Sequence, residues 1–216
     1  MATHSFPAFA LLLPAVLVTF AVSARASVAT IMPSPAPAVE GRGFLHACCA
    51  NTTNASACYD SLLPLAGSFH GNRVLVARAA AVLAFARLRN FRDGLCRLPP
   101  GATGAGRAVD MTLQFYVTSA EVSLGREGDS LAELRRLETA AGRGRGEQAE
   151  WDLHDANLYT GSVGSSATSC VDDLASIGDA GRKALAPPVG KQVVAWAANV
   201  HLHGDIALDV VSSMKL

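Results

Sequence analysis

Apolar side chains recur at alternating spacings of three and four along one stretch of the chain: Val74, Ala77, Ala81, Ala84, Leu88, Phe91 and Leu95. That rhythm places all seven on one face of a helix running from Val74 to Leu95. Arg73, Arg78, Arg87, Arg89 and Arg92 fall off the stripe and read first as its solvated side. The alanines lining the apolar face let a neighbouring helix come close, and Leu98-Pro99-Pro100-Gly101 ends the segment. A second clean stripe closes the chain, through Val193, Trp196, Val200, His203, Ala207, Val210 and Met214.

Between these two, a helix from about Gly106 to Gly125 carries Val109, Leu113, Tyr116 and Ala120 on one side. Asp129 or Ser130 can cap the next, with Leu131, Leu134 and Leu137. A further helical piece runs from Glu147 to Tyr159. The small, polar run Gly161 to Ser169 predicts a flexible loop. Helix resumes from about Cys170 to Leu185 and stops at Pro187-Pro188. Period-two patterns are scarce. Helices joined by short connections predict an all-α fold, an up-and-down four-helix bundle.

The amino-terminal region changes where this domain is expected to begin. Phe9 to Ala21 is almost unbroken in its apolar character, and small residues at Ala24 and Ala26 offer cleavage sites. Such a run is shorter than the ~20 residues of a membrane span and fits a secretory signal. Residues 1–26 are therefore expected to be a signal peptide, residues 27–43 a proline-containing linker, and residues 44–216 the folded domain. The linker is read from Pro33, Pro35 and Pro37, with order beginning near Phe44. No second apolar run of spanning length follows, so no membrane association is expected once the signal is removed.

Lys plus Arg (18) balances Asp plus Glu (18), so composition supplies no pull toward nucleic acid or acidic lipid. Secretion gives the five cysteines, Cys48, Cys49, Cys58, Cys96 and Cys170, a disulfide reading, with at least one left over. Asn51-Thr52-Thr53 and Asn54-Ala55-Ser56 are N-glycosylation acceptor triplets at Asn51 and Asn54.

Catalytic signatures are missing from the sequence. It holds no H-E-x-x-H and no P-loop, and Gly164 to Thr168 departs from G-x-S-x-G at its last position. His201 and His203 sit two apart, so on a helix they diverge and cannot share one metal. His203 lies on the apolar stripe and reads as a hydrogen-bonded core histidine. Asp172 and Asp173 are adjacent and do not converge. Arg143 and Arg145, between glycines, read as a soluble connector, with contact to an acidic surface as the functional alternative. No cofactor, metal or catalytic residue is expected, and the chain is read as not an enzyme.

The residues Cys49-Ala50-Asn51-Thr52, then Cys58 and Leu62, resemble the opening C-x-x-T-x-x-x-x-x-C-x-x-x-L of the plant invertase and pectin methylesterase inhibitor family. Ala108 to Tyr116 is similar to that family's A-L-x-D-C-x-x-x-Y stretch, and Trp151, Ala156-Asn157-Leu158 and Thr168-Ser169-Cys170-Val171-Asp172 to its W-x-S-A-A-L…T-C-x-D motif. Asn199 with Ala207-Leu208 loosely matches the family's closing helix.

The likeness covers roughly Phe44 to Leu216. It implies a bundle preceded by a helical extension that a Cys49–Cys58 disulfide pins. The family's third cysteine is replaced by Met111 or Thr112. That departure leaves Cys170 in need of another partner, for which chain order offers Cys96, with Cys48 spare.

The resemblance further implies a secreted protein of the apoplast or vacuole, monomeric before it meets its target. It would occlude the cleft of a carbohydrate-active enzyme in a one-to-one complex. Pectin methylesterase is the first expected target and acid invertase the alternative; a diverged member without inhibitory activity is the third reading. The contacting helices would be those containing Arg73 to Arg97 and Gly106 to Gly125, with Arg78, Arg89, Gln114 and Thr118 as candidate contacts.

Overall fold

A computed structural model describes residues 37–140 and 146–215, with side chains from Glu40 onward. The expected signal peptide, the first prolines of the expected linker, and Arg143 and Arg145 lie outside the described residues. Every regular element among the described residues is helical.

Helix α1 (Pro37–Cys49) and helix α2 (Ala55–Leu62) form a short hairpin, continued by a 3-10 segment at Leu63–Ser68. The Cys49–Cys58 disulfide closes the hairpin, with Cα atoms 5.7 Å apart. Inside that loop the Thr52 hydroxyl donates to the Cys49 carbonyl at 2.9 Å and is buried there. The expected linker to residue 43 needs correction, because α1 already starts at Pro37. Proline is tolerated in a first turn, where its missing N–H would have no intrahelical partner. The helix also rests directly on the 3-10 segment: a Cβ at Gly41 would lie 2.5 Å from the Ala66 carbonyl oxygen.

Helix α3 (Arg73–Cys96) begins where the Asn72 side chain accepts from the Val74 N–H at 2.9 Å. Of its expected stripe, Ala77, Ala81, Ala84, Leu88, Phe91 and Leu95 are buried. Helix α4 (Arg107–Leu124) follows, entered through Gly106 at φ 97°, a backbone angle that favours glycine. Helix α5 (Glu127–Ala140) starts slightly earlier than Asp129, and both Glu127 and Asp129 sit in its first turn, where the helix dipole favours anions.

Helix α6 (Glu147–Ser176) corrects the expected loop at Gly161–Ser169, which is helical throughout. Its hydroxyls turn back onto the helix itself. Ser162 donates to Tyr159 O at 2.7 Å, Ser166 to Ser162 O at 2.9 Å and Thr168 to Gly164 O at 3.2 Å. Its small residues face helix α8 (Val189–Ser212), which arrives after the short helix α7 (Asp179–Ala184). A Cβ at Gly204 of α8 would stand 2.8 Å from the Gly164 backbone. Composition that reads as loop in isolation is here the groove that lets two helices touch.

The long helices neighbour one another in a ring: α3 lies against α8, α8 against α6, α6 against α4 and α5, and those two against α3. Phe85, Phe91, Leu88, Leu134, Leu174, Val163 and Ile206 fill the space between them. The α1–α2 hairpin is tied on by polar contacts as well. His203 is buried, its Nδ1 2.8 Å from the Asn199 carbonyl and its Nε2 3.4 Å from Ser61 Oγ of α2. The Thr53 N–H donates to Asp209 Oδ2 of α8 at 2.7 Å.

The Cys96–Cys170 bridge suggested by chain order is not formed; both remain thiols, as does Cys48. Leu95 holds the inward position at the end of α3, so the next residue, Cys96, turns to solvent. Cys170 faces the core, where burial and the nearby Asp173 push its thiol up to about 12.

Candidate protein-docking face

Helix α4 is amphipathic in an unusual way. Its inner face, Val109, Leu113, Tyr116, Val117 and Ala120, is buried as its spacing predicts. Its outer face also carries large apolar side chains: Met111 is 61% exposed, Phe115 62% and Val122 67%. These positions, with exposed Thr118 between them, follow i, i+4, i+7 and i+11, so they form one line along the solvent side of the helix. Aligned apolar groups left in water on an otherwise well-packed helix mark an interaction surface more often than chance scatter does. Phenylalanine and methionine are also among the residues enriched at protein interfaces.

Two hollows flank Met111. One, of about 280 Å³, lies between α4 and the turn after α3 and is lined by Leu95, Leu98, Pro99, Asp110, Met111 and Gln114 among others. The other, wider and about 410 Å³, is lined by Ala108, Met111, Thr112, Phe115 and Asp173. Behind it the Tyr116 hydroxyl donates to Asp173 Oδ2 at 2.5 Å, joining α4 to α6. Burial and that carboxylate raise the Tyr116 pKa well above its ordinary value, so the phenol stays protonated and keeps donating.

The four candidate contact residues divide. Gln114 and Thr118 are exposed on the α4 face, Gln114 at the rim of the first hollow and Thr118 within the apolar line. Arg78 and Arg89 are held in ion pairs with α5. Arg78 Nη1 donates to Glu138 Oε2 at 2.7 Å, and Arg89 grips both oxygens of Glu127, with Nη2 to Oε1 at 3.2 Å. Both pairs tie α3 to α5. Gln114 and Thr118 thus share the outer face of α4, while the two arginines belong to α3 and are held in ion pairs.

Sequence reading overlooked Met111, Phe115 and Val122 as surface residues. Their signal was available: they repeat at helical spacing but sit out of phase with the inner stripe. Met111 is one of the two positions standing for the missing cysteine, and its side chain points to solvent.

The remaining candidates follow simple geometry. Asn51 is exposed and Asn54 half-buried, both in the turn between α1 and α2. His201 is exposed and 3.4 Å from Asp205, away from buried His203. Among the described residues no group of three or more metal-ligating side chains converges.

No protein-family model matches the chain, and no solved structure does. In sequence it is similar to an uncharacterized protein of rice, Oryza sativa subsp. japonica, with 31% identity over 151 residues. The match takes in 64% of this chain and 65% of the rice protein, so the chain spans just under two thirds of that relative's length.

Proposed function

We propose that this chain is a secreted, non-catalytic inhibitor that binds an extracellular plant enzyme through the outer face of α4. The observation that carries the reading is the line Met111, Phe115, Thr118 and Val122, a mostly apolar edge left exposed on a helix whose opposite face is packed into the core. The resemblance of Cys49–Leu62 and Ala108–Tyr116 to the invertase and pectin methylesterase inhibitors supplies the class of partner. The reading takes pectin methylesterase as the first target and acid invertase as the second. It includes an up-and-down four-helix bundle, with α3, α4–α5, α6 and α8 as its legs and the α1–α2 hairpin as the extension. A rigid helix edge needs no catalytic group of its own; it needs complementary shape and a dry centre to its contact.

One observation favours a second reading, a diverged member that keeps the fold and has lost inhibition. Cys170 has no disulfide partner, and Met111 or Thr112 stands where the resemblance expects a cysteine. Titration decides between them. Residues 27–216, produced through a secretory host, would be added to each enzyme at mildly acidic pH while ester release or sucrose cleavage is followed. Saturable loss of one activity near equimolar protein identifies the target. A folded, helical product that leaves both activities untouched across several isoforms refutes the inhibitor reading and leaves the diverged one.

A further inference from the structure

We propose that α5 is held against α6 by a proton-dependent latch, in which Glu133 and Asp152 share one proton under the clamp of Arg136, and that this latch loosens as pH rises. Glu133 of α5 is 8% exposed and Asp152 of α6 is 3% exposed, so both carboxyl groups are almost out of water. Arg136 reaches both: its Nε donates to Asp152 Oδ1 at 3.1 Å and its Nη2 pairs with Glu133. Gln148 Nε2 adds a bond to the same Asp152 oxygen at 2.9 Å.

The charge count makes the argument. One guanidinium facing two ionised carboxylates leaves an uncompensated negative charge in a site with little water, which is costly. Two carboxyl groups sharing one site relieve that cost by keeping a proton on one of them. Glu133 is the proton holder. Burial and the neighbouring Asp152 carboxyl, held on the same guanidinium, raise its affinity for the proton against the pull of Arg136. Asp152 goes the other way: burial would raise it, but the bonds from Gln148 and Arg136 and the protonated neighbour Glu133 outweigh that and keep it ionised.

No other charged group among the described residues bonds to the pair. The cations that α3 turns toward α5 are committed elsewhere, Arg78 to Glu138 and Arg89 to Glu127. Arg126 pairs with Asp129 on the preceding turn, and Arg135 makes no ion pair with either acid. On α6, Glu147 accepts from Trp151, while Glu150, His154 and Asp155 make no bond to Glu133 or Asp152.

Glu133 has its proton affinity raised by folding. The stability it contributes is therefore fully present below its unfolded value of 4.5 and is lost as pH climbs through the raised value. In an acidic medium α5 is latched; toward neutrality Glu133 ionises and repels Asp152.

The test uses the folded chain and reads amide hydrogen exchange of α5 from about pH 4 to about pH 8, corrected for intrinsic exchange. In the wild type, opening of α5 rises by roughly tenfold for each unit by which folding raised the affinity of Glu133 for its proton. Glu133→Gln keeps a neutral donor toward Asp152, so α5 stays protected and the slope disappears. Asp152→Asn removes the second charge and flattens the slope as well. A wild-type slope that survives in both variants overturns the latch, as does a wild-type α5 with no slope. Failure of Glu133→Gln to fold at acidic pH would overturn it too, since there the variant reproduces the protonated state.

Discussion

Replacing Gly204 by alanine should destabilise the fold, while the same change at Gly164, directly opposite, should be tolerated. The two glycines mark the closest approach of α6 and α8, yet the contact is not symmetric. A Cβ on Gly204 would lie 2.8 Å from both Cα and N of Gly164, and those are backbone atoms of a helix that cannot rotate away. Carbon atoms sit comfortably at about 3.5–4.0 Å, so α8 must back off by most of an ångström along a tightly packed seam. Such overpacking costs about 1–3 kcal/mol. Alanine returns about 1 kcal/mol through its better helix propensity, leaving a net loss of up to about 2 kcal/mol.

A Cβ on Gly164 meets its nearest neighbour, Asp205 Oδ1, at 3.4 Å and Gly204 Cα at 3.8 Å, both ordinary contacts. Gly164→Ala should therefore be neutral or stabilising by up to about 1 kcal/mol. Urea unfolding followed by helical circular dichroism would measure both, with slopes compared to show that the change lies in the midpoint. For a chain of this size each kcal/mol moves Tm by about 2–4 °C. Gly204→Ala as stable as wild type, or Gly164→Ala the more damaging of the two, would refute this account of the seam.

Other outcomes follow from the same geometry. Gly94→Ala puts a Cβ 2.7 Å from the Trp196 ring; the indole must move, so Trp fluorescence should shift and stability fall by about 1–3 kcal/mol. Phe115→Ala and Met111→Ala should leave unfolding midpoints within about 0.5 kcal/mol, because both side chains are in water, yet weaken inhibition of the responsive enzyme by about tenfold or more. Arg78→Ala should do the reverse, leaving inhibition intact and costing up to about 1 kcal/mol through its exposed pair with Glu138.

His203 should make the fold acid-sensitive. Burial, and the positive charge of Arg87, outweigh its bond to the Asn199 carbonyl and lower its pKa below the ordinary 6.5. The unfolded chain then takes up the proton first, so stability is lost as pH falls below about 6.5 toward the lowered folded value. His203→Asn should remove that part of the pH profile in thermal unfolding. An unchanged profile would show that His203 does not titrate in this range. The Glu133 effect has the opposite sign, and each is isolated by comparing variant with wild type.

The two long stripes, of α3 and α8, were legible from spacing alone, since one helical face buried along its whole length leaves an unambiguous three-and-four rhythm. The same holds for the inner face of α4, and for the core role of His203 on the α8 stripe. The Cys49–Cys58 loop was legible through its resemblance and is formed as expected.

Gly161–Ser169 was misread for a physical reason. Small, polar residues carry little local preference for helix, and their value there comes from a partner that the sequence does not display, the glycine face of α8. Pro37–Gly43 failed similarly, because support for that turn comes from the 3-10 segment beneath it. The candidate contacts show the same limit. An arginine off an apolar stripe looks like free surface until Glu138 and Glu127 of another helix are found opposite Arg78 and Arg89. Met111, Phe115 and Val122 repeat out of phase with the inner stripe, but only the packed structure shows that no other helix among the described residues covers them.

Local periodicity thus determined which segments are helices and which face of each is apolar, because those follow from backbone geometry and burial within one element. Tertiary structure decided what meets across helices: which small residues are seams, which charges are already paired, where one guanidinium meets two buried acids, and which apolar line is left uncovered. Those depend on relative placement of segments far apart in the chain, and no spacing within a single element encodes it.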